Sequence, residues 1–541
     1  VLGAVGLLAA CASSASDLGG GGGAGGGGDD GGAPNVVPGG DGGGGSDGGA
    51  GCPSGQSLCG GSCIDTTGDD RNCGGCGHAC TGAQHCAGGS CQDSKIQHVV
   101  LIVEENHTFD SYFGHYCQAP AYTDPTCTSG PSCCEAAPDT EPGSTHAKPY
   151  VLNDDPNNPA SNFGSGTSSF DRDHMQACEL QEIDDANMDG HGKMDRFVTG
   201  ATGSDTCDGY GPSCSNAINF AVADQATLGA YWSLADGNAL ADRYFQPIAG
   251  GSSSNDMYLA AAHFQFKDND AATTTAGGSC SASPCASATS TSYTGRTTIA
   301  DLLVKAGKTF AVYADGYGDA KSAAPGCPGP SSDCRYAPLV GSSCLTSPHP
   351  IACGACTYDP TDIPFNYYAQ DGDQYMKDYS QLAADLNAGT LPSFAYVKAE
   401  GWHNEHPNVS TIADGIAFVT STIGMIQSSP LADSTLILLT WDEGGGFFDH
   451  VSPPAPWPTA VDQDDAGGAV PYGTRVPLLA IGPFARKGTV SHVVMEHSSV
   501  VKFLEYNFVG GVGQLGARDA KVNDLGSLLD PAATGIVIPE Q

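Results

Sequence analysis

Apolar runs that stop abruptly at charged residues mark this chain from about residue 98 to its end. The clearest is His98-Val-Val-Leu-Ile-Val103, followed at once by Glu104, Glu105 and Asn106. A continuous apolar, β-branched run of this length reads as a strand buried on both faces, as in a parallel sheet covered by helices. The same pattern predicts strands over Thr309–Tyr313, Phe394–Val397, Thr435–Thr440 and Val476–Ile481. Ile412, Ile416, Val419, Ile423 and Ile426 share one face of a helix, and a second helical stretch runs from His497 to Phe508. Strands alternating with helices predict an α/β domain over residues 93–541, with a mainly parallel central sheet flanked by helices. Insertions rich in Gly, Ser, Thr and Cys (roughly 117–165, 200–216, 270–295 and 317–360) interrupt the pattern and are expected as disulfide-stapled surface loops.

Ahead of this domain the texture is different. Residues 1–16 open on a short apolar run, too brief to span a bilayer as a helix, which reads as the end of an export signal. Leu8-Ala9-Ala10-Cys11 is similar to a lipobox, so Cys11 is expected to carry lipid and tether the protein to a membrane; an ordinary cleaved secretory signal is the alternative. Residues 17–51 are nearly all Gly, Asp and Ala and form an acidic spacer without a core. Eight cysteines then fall between Cys52 and Cys91, which predicts a small module over 52–92 held by about four disulfides. With Cys11 set aside, the chain's 23 cysteines leave an even number, which suits an oxidising compartment. The module resembles the stigma-specific cysteine repeats of secreted proteins; its partner is unspecified.

Charge narrows the partners. The formal net charge is −39, from 21 basic and 60 acidic residues. A field this negative repels polyanions and excludes nucleic acid as a partner. Small anionic or zwitterionic substrates stay open if the site supplies its own cation.

The charged ends of the strands carry the chemistry. Glu105 and Asn106 offer hard oxygen ligands to a metal. Thr435–Thr440 repeats the design, running through Trp441 into Asp442-Glu443, a glycine turn and Asp449-His450. Two strands of one sheet ending in such pairs can share one ion. Asn404-Glu405-His406-Pro407 and His497 are further candidates. A nucleophile is available in Gly250-Gly251-Ser252-Ser253-Ser254, where the serines precede a helical run, Asp256 to His263, whose N-terminal dipole favours an alkoxide and a phosphate. An ordinary serine N-cap is the structural alternative.

Together these stretches resemble the bacterial phosphoesterase family that contains phosphatidylcholine-type phospholipases C and acid phosphatases, itself similar to the alkaline-phosphatase superfamily. The likeness rests on Glu105 through Gly114, Gly192-Lys193-Met194-Asp195, Glu405-His406-Pro407, Asp442 through Val451, Arg475-Val476-Pro477 and His497 through Val500. It implies an alkaline-phosphatase-like fold and one divalent ion (Ca, Mg, Mn or Zn) on Glu105, Asn106, Asp442 and Glu443. Ser252 would be nucleophile and fifth ligand. His174 and His406 would meet the phosphoryl oxygens or the leaving group, and His450 and His497 would either join them or support the ligands. Phospholipid head-group cleavage is the implied activity, and acid phosphatase action on monoesters the alternative within the family. An inactive surface-binding platform is the alternative of another class. One departure stands out: the family's Gly-Pro-Thr-x-Pro-Asn-Arg is here Gly250-Gly251-Ser252-Ser253-Ser254-Asn255-Asp256, which keeps a hydroxyl, loses both prolines and replaces a cation by Asp256. That leaves the nucleophile between Ser252 and Ser253.

Overall fold

The computed structural model describes residues 52–142, 148–162, 171–200, 214–269, 293–318 and 358–540. The export segment with Cys11, the spacer over 17–51 and much of the expected insertions lie outside the described residues.

Eight strands form the central sheet: β1 (His98–Glu104), β2 (Ala239–Ala241), β3 (Phe310–Ala314), β4 (Met376–Asp378), β5 (Phe394–Lys398), β6 (Thr435–Trp441), β7 (Leu478–Ile481) and β8 (Thr489–Ser491). Their order across the sheet is β4-β3-β5-β1-β6-β7-β2-β8. All run the same way except β7, which lies antiparallel between β6 and β2. The mainly parallel α/β architecture expected from the apolar runs is therefore present. Val99–Val103 at its centre are wholly buried, which for such side chains is worth ~1.5–3 kcal/mol each.

Where strands differ from expectation, the cause is local. β7 starts at Leu478 because Pro477 has no N–H to donate, and the Val476 N–H goes to Tyr244 O at 2.9 Å. β2, β4 and β8 have three residues each, too few for a period-two signal to emerge.

Five helices matter for the site: α1 (Phe109–Phe113), α2 (Gln225–Gly237), α3 (Ser252–Ala261), α4 (Ile412–Gln427) and α5 (His497–Leu504). α4 follows its predicted periodicity, capped by Thr411, whose side chain accepts the Asp414 N–H, and buries Ile412, Val419, Ile423 and Ile426. α5 carries on into a π-helical turn over Glu505–Val509. No helix among the described residues is long and apolar enough to cross a membrane.

The cysteine-rich module consists of two hairpins, Gln56–Cys59 with Ser62–Asp65 and His85–Ala87 with Ser90–Gln92. Four disulfides close it: Cys52–Cys63, Cys59–Cys76, Cys73–Cys86 and Cys80–Cys91. Its contact with the sheet domain runs through His85, whose Nε2 donates to Tyr506 O at 2.9 Å while its ring stacks on Tyr506 with centroids 3.8 Å apart. Among the described later cysteines, Cys117–Cys134, Cys127–Cys133 and Cys178–Cys214 are also paired.

Candidate active site

β1 and β6 are adjacent and parallel, with Trp441 opposite Glu104. The residues that follow, Glu105-Asn106 and Asp442-Glu443, therefore emerge side by side at the carboxyl edge of the sheet, where open α/β sheets place ligands. The turn is tied at once: the Asn106 N–H donates to Asp442 Oδ1 at 3.0 Å and the Glu443 N–H to the same oxygen at 2.8 Å. Asn106 has a positive φ of 64°, and Gly445 behind it must be glycine, since a Cβ there would lie 2.3 Å from Asn106 O.

The serine loop meets this cluster from across the sheet edge. Gly251 occupies the cap, so Ser252, Ser253 and Ser254 form the first turn of α3 itself and none of them is the N-cap. Ser252 Oγ donates to Asn106 Oδ1 at 3.5 Å, and Asp442 also feels its hydroxyl. Ser253 Oγ points elsewhere, donating to Thr361 O at 3.2 Å, and Ser254 Oγ donates to Gly251 O at 2.8 Å. The amides of Ser253 and Ser254 are taken by Asn269 Oδ1 and Asp268 O. An anion here would thus meet the helix dipole more than a row of open N–H groups.

The electrostatics suit a cation. Glu105, Asp442 and Glu443 are all buried, and Asp442 Oδ2 and Glu443 Oε1 have no hydrogen-bond partner. Burial, then the Glu105 charge, raises the Asp442 carboxyl; burial, then the Asp442 charge, raises Glu443 well above the usual range. Burial also pushes Glu105 up, but Lys398 and His406 outweigh it and hold it at about 2. Three buried carboxylates, two of them with an orphaned oxygen, and a carboxamide form a donor set that fits a hard divalent ion.

Lys398 is a site residue that the sequence reading passed over. It ends β5 as Glu104 ends β1, a charge closing an apolar run, and that was its available signal. Its Nζ lies 2.9 Å from Glu105 Oε1, and its charge reaches Asp256 and Asp362, both buried. The cation lost at Asp256 in the serine loop is thus supplied from the neighbouring strand. Asp256 itself accepts from Tyr396 Oη at 3.2 Å.

His174 and His406 flank the cluster with ring centroids 6.0 Å apart. Each donates Nδ1–H to a backbone carbonyl, Arg172 O and Pro407 O respectively, both at 2.7 Å. That fixes the tautomer and turns Nε2 inward, 3.7 Å from Glu443 Oε1 for His174 and 4.0 Å from Glu105 Oε2 for His406.

The other motif residues hold the frame. His497 Nε2 donates to Asp442 O at 2.6 Å while Nδ1 accepts from Tyr244 Oη at 2.8 Å, and burial lowers its pKa to about 4. Glu405 accepts from Tyr112, Tyr231 and Trp441 at 2.8, 2.5 and 2.9 Å. Met194 packs with Ile183, Phe197, Phe220 and Phe448. Arg475 bridges Asp110 at 3.0 Å and Asp449 at 2.9 Å, pinning α1 to the glycine turn after β6.

His450 belongs to the same network, with Nδ1 2.7 Å from Asp110 Oδ2 and Nε2 3.1 Å from Glu135 Oε2. Burial lowers its pKa, but Asp110 and Glu135 outweigh that and raise it from 6.5 to about 9. A raised histidine contributes stability in full below its unfolded value and loses it as pH rises through the folded one. Unfolding free energy is therefore expected to fall by about 3 kcal/mol between pH ~6.5 and ~9.5. Denaturant unfolding across that range checks this, and His450→Gln should flatten the slope.

Comparison with known proteins follows the same lines. The sequence profile described as the Phosphoesterase family matches residues 96–509. Hemolytic phospholipase C of Pseudomonas aeruginosa is 26% identical over 472 residues, covering 81% of this chain and 56% of that protein. Phospholipase C B of Mycobacterium tuberculosis is 32% identical over 166 residues, 28% of this chain and 32% of that one. The chain thus spans little more than half the length of the first of these relatives and a third of the second. Among solved structures, a protein in the alkaline phosphatase superfamily from Vibrio parahaemolyticus aligns with a TM-score of 0.28 at 9% identity, over 55% of this chain and 65% of that one, a likeness too slight to argue from.

Proposed function

Since the chain belongs to the Phosphoesterase family, we propose that it hydrolyses phosphate esters through Ser252, with one divalent ion on Glu105, Asn106, Asp442, Glu443 and the serine. The observation that carries this reading is the Ser252 hydroxyl, 3.5 Å from Asn106 Oδ1 beside three buried carboxylates. The ion, when bound, lowers the serine's pKa and polarises a phosphoryl oxygen; Ca, Mg, Mn and Zn all suit the donors.

The chain's own residues do the rest. Ser252 Oγ attacks phosphorus opposite the departing oxygen, forming the Oγ–P bond as the ester P–O bond breaks. His174 or His406, with an unprotonated Nε2 turned inward, takes the Ser252 hydroxyl proton and gives it to the departing alcohol. The same imidazole then takes a proton from water, which attacks the phosphoserine, and returns it to Ser252 Oγ as the Oγ–P bond breaks. Lys398 keeps Glu105 ionised and adds a fixed positive charge beside the phosphoryl oxygens.

Phospholipid head-group diesters are the proposed substrates, in line with the names of the relatives, and the acid phosphatase reading is the runner-up. We also propose export to the cell envelope, with Cys11 as the lipid anchor; the seven disulfides among the described residues support an oxidising compartment. Turnover of p-nitrophenylphosphorylcholine and of p-nitrophenyl phosphate by the full chain, with each metal supplied, tests this. The choline ester is expected to be cleaved. Monoester turnover alone would make the protein a phosphatase, and turnover of neither would favour a binding platform.

A further inference from the structure

We infer that Asp315, Glu400 and His403 form a second divalent-cation site, just past the carboxyl ends of β3 and β5, that fastens the loop carrying His406. Asp315 directly follows β3, and Glu400 and His403 lie in the segment that leaves β5 after Lys398 and Ala399. One donor atom from each lies within 4.8 Å of the others. His403 Nδ1 is 2.8 Å from Asp315 Oδ2 and 4.0 Å from Glu400 Oε1. The backbone holds the three together: the Asp315 N–H donates to Lys398 O at 3.0 Å and the His403 N–H to Glu400 O at 2.8 Å. Stacking on Phe418, with planes 8° apart and centroids 5.9 Å apart, sets the imidazole plane.

A second observation comes from Glu104. It is 0% exposed, and neither of its carboxylate oxygens has a hydrogen-bond partner. The ladders place Ala314 opposite Lys398 and Lys398 opposite Val103. Asp315 directly follows Ala314 and Glu104 ends β1 just after Val103, so both stand at the same end of the sheet with β5 between them. A buried acid with neither oxygen partnered thus stands at the same sheet end as the three donors and marks an edge short of positive charge.

The donors, one imidazole and two carboxylates, suit Zn or Mn better than Ca or Mg. Asp315 and His403 are partly exposed, which gives an ion a path. Binding would exchange the His403 Nδ1 proton for the ion and free Asp315 Oδ2 to coordinate, releasing a proton to solvent. The ion would tie the end of β3 to the segment 400–406. That segment is anchored at its far side by the three hydrogen bonds to Glu405, so His406 would be held from both ends.

The test counts ions on the full chain after chelator stripping, reloading with Zn²⁺ and desalting, by mass spectrometry of bound metal. His403→Ala, Glu400→Gln and Asp315→Asn are each expected to lose one equivalent relative to wild type, with unchanged circular dichroism. Zn²⁺ should also raise Tm less in each variant than in wild type. Wild-type ion content in any two of these folded variants would overturn the proposal. Asp442→Asn separates the two sites. If Asp442→Asn keeps every ion while His403→Ala loses one, the second site stands and the serine-site ion does not.

Discussion

Ser252→Ala is expected to lower kcat/KM for phosphate esters by on the order of 10⁴-fold or more, with Tm almost unmoved. The two outcomes separate because the hydroxyl does so little for the fold. It makes one long bond, 3.5 Å to Asn106 Oδ1, at the first turn of a helix where alanine is well tolerated. Ser253 is the control. Its hydroxyl is spent on Thr361 O, so Ser253→Ala should leave turnover within a few-fold. Steady-state kinetics on both p-nitrophenyl esters, with thermal melts alongside, decide between them. Loss of activity in Ser253→Ala and its survival in Ser252→Ala would move the nucleophile by one residue. A phosphoserine trapped by acid quench on wild type, and missing from Ser252→Ala, would fix the covalent step as well.

The parts of this protein that were legible in sequence share one property: a strong local signal that tertiary contacts do not override. β1 and β6 are long buried runs ending in paired oxygen donors, so both the strands and the ligand pairs could be read together. α4 repeats its apolar face over four turns with a threonine cap. Cysteine spacing gave the module but not its pairing, because eight cysteines allow 105 connectivities.

What escaped notice is assembled across the fold. Lys398 is one polar letter at the end of a five-residue strand, and its meaning appears only when β5 lies next to β1. The loop from Gly250 to Asp256 read as a loss of positive charge, whereas the sheet restores that charge from another strand. His497 and Glu405 sit in motifs that carry chemistry elsewhere, yet their partners are a backbone carbonyl, tyrosines and a tryptophan. Nothing in sequence separates a histidine that touches substrate from one that holds a ligand's backbone, since both need burial and a fixed tautomer.

Asp442→Asn should have two effects of opposite sign. Activity is expected to fall by about 10³-fold or more, because the change takes a charge from the ion's ligands and turns a donor amide toward its place. Stability of the metal-free protein should hold or rise. Asp442 Oδ1 can be mimicked by the asparagine carbonyl, which keeps the bonds from the Asn106 and Glu443 amides at 3.0 and 2.8 Å. Oδ2 is buried without a partner, and the Asp442 charge repels both Glu105 and Glu443. Removing that charge relieves a strain that only a cation otherwise offsets. The linkage is then readable directly: an ion at about 100 times its Kd stabilises the wild type by about 2.7 kcal/mol through this site, and Asp442→Asn should forfeit that increment. Thermal melts of both proteins, stripped and with each of Ca, Mg, Mn and Zn, measure it, and the ion giving the largest wild-type increment lost in Asp442→Asn is the one the site prefers. A substitution that lowers stripped and loaded Tm equally would mean that Asp442 serves only to brace the turn after β6.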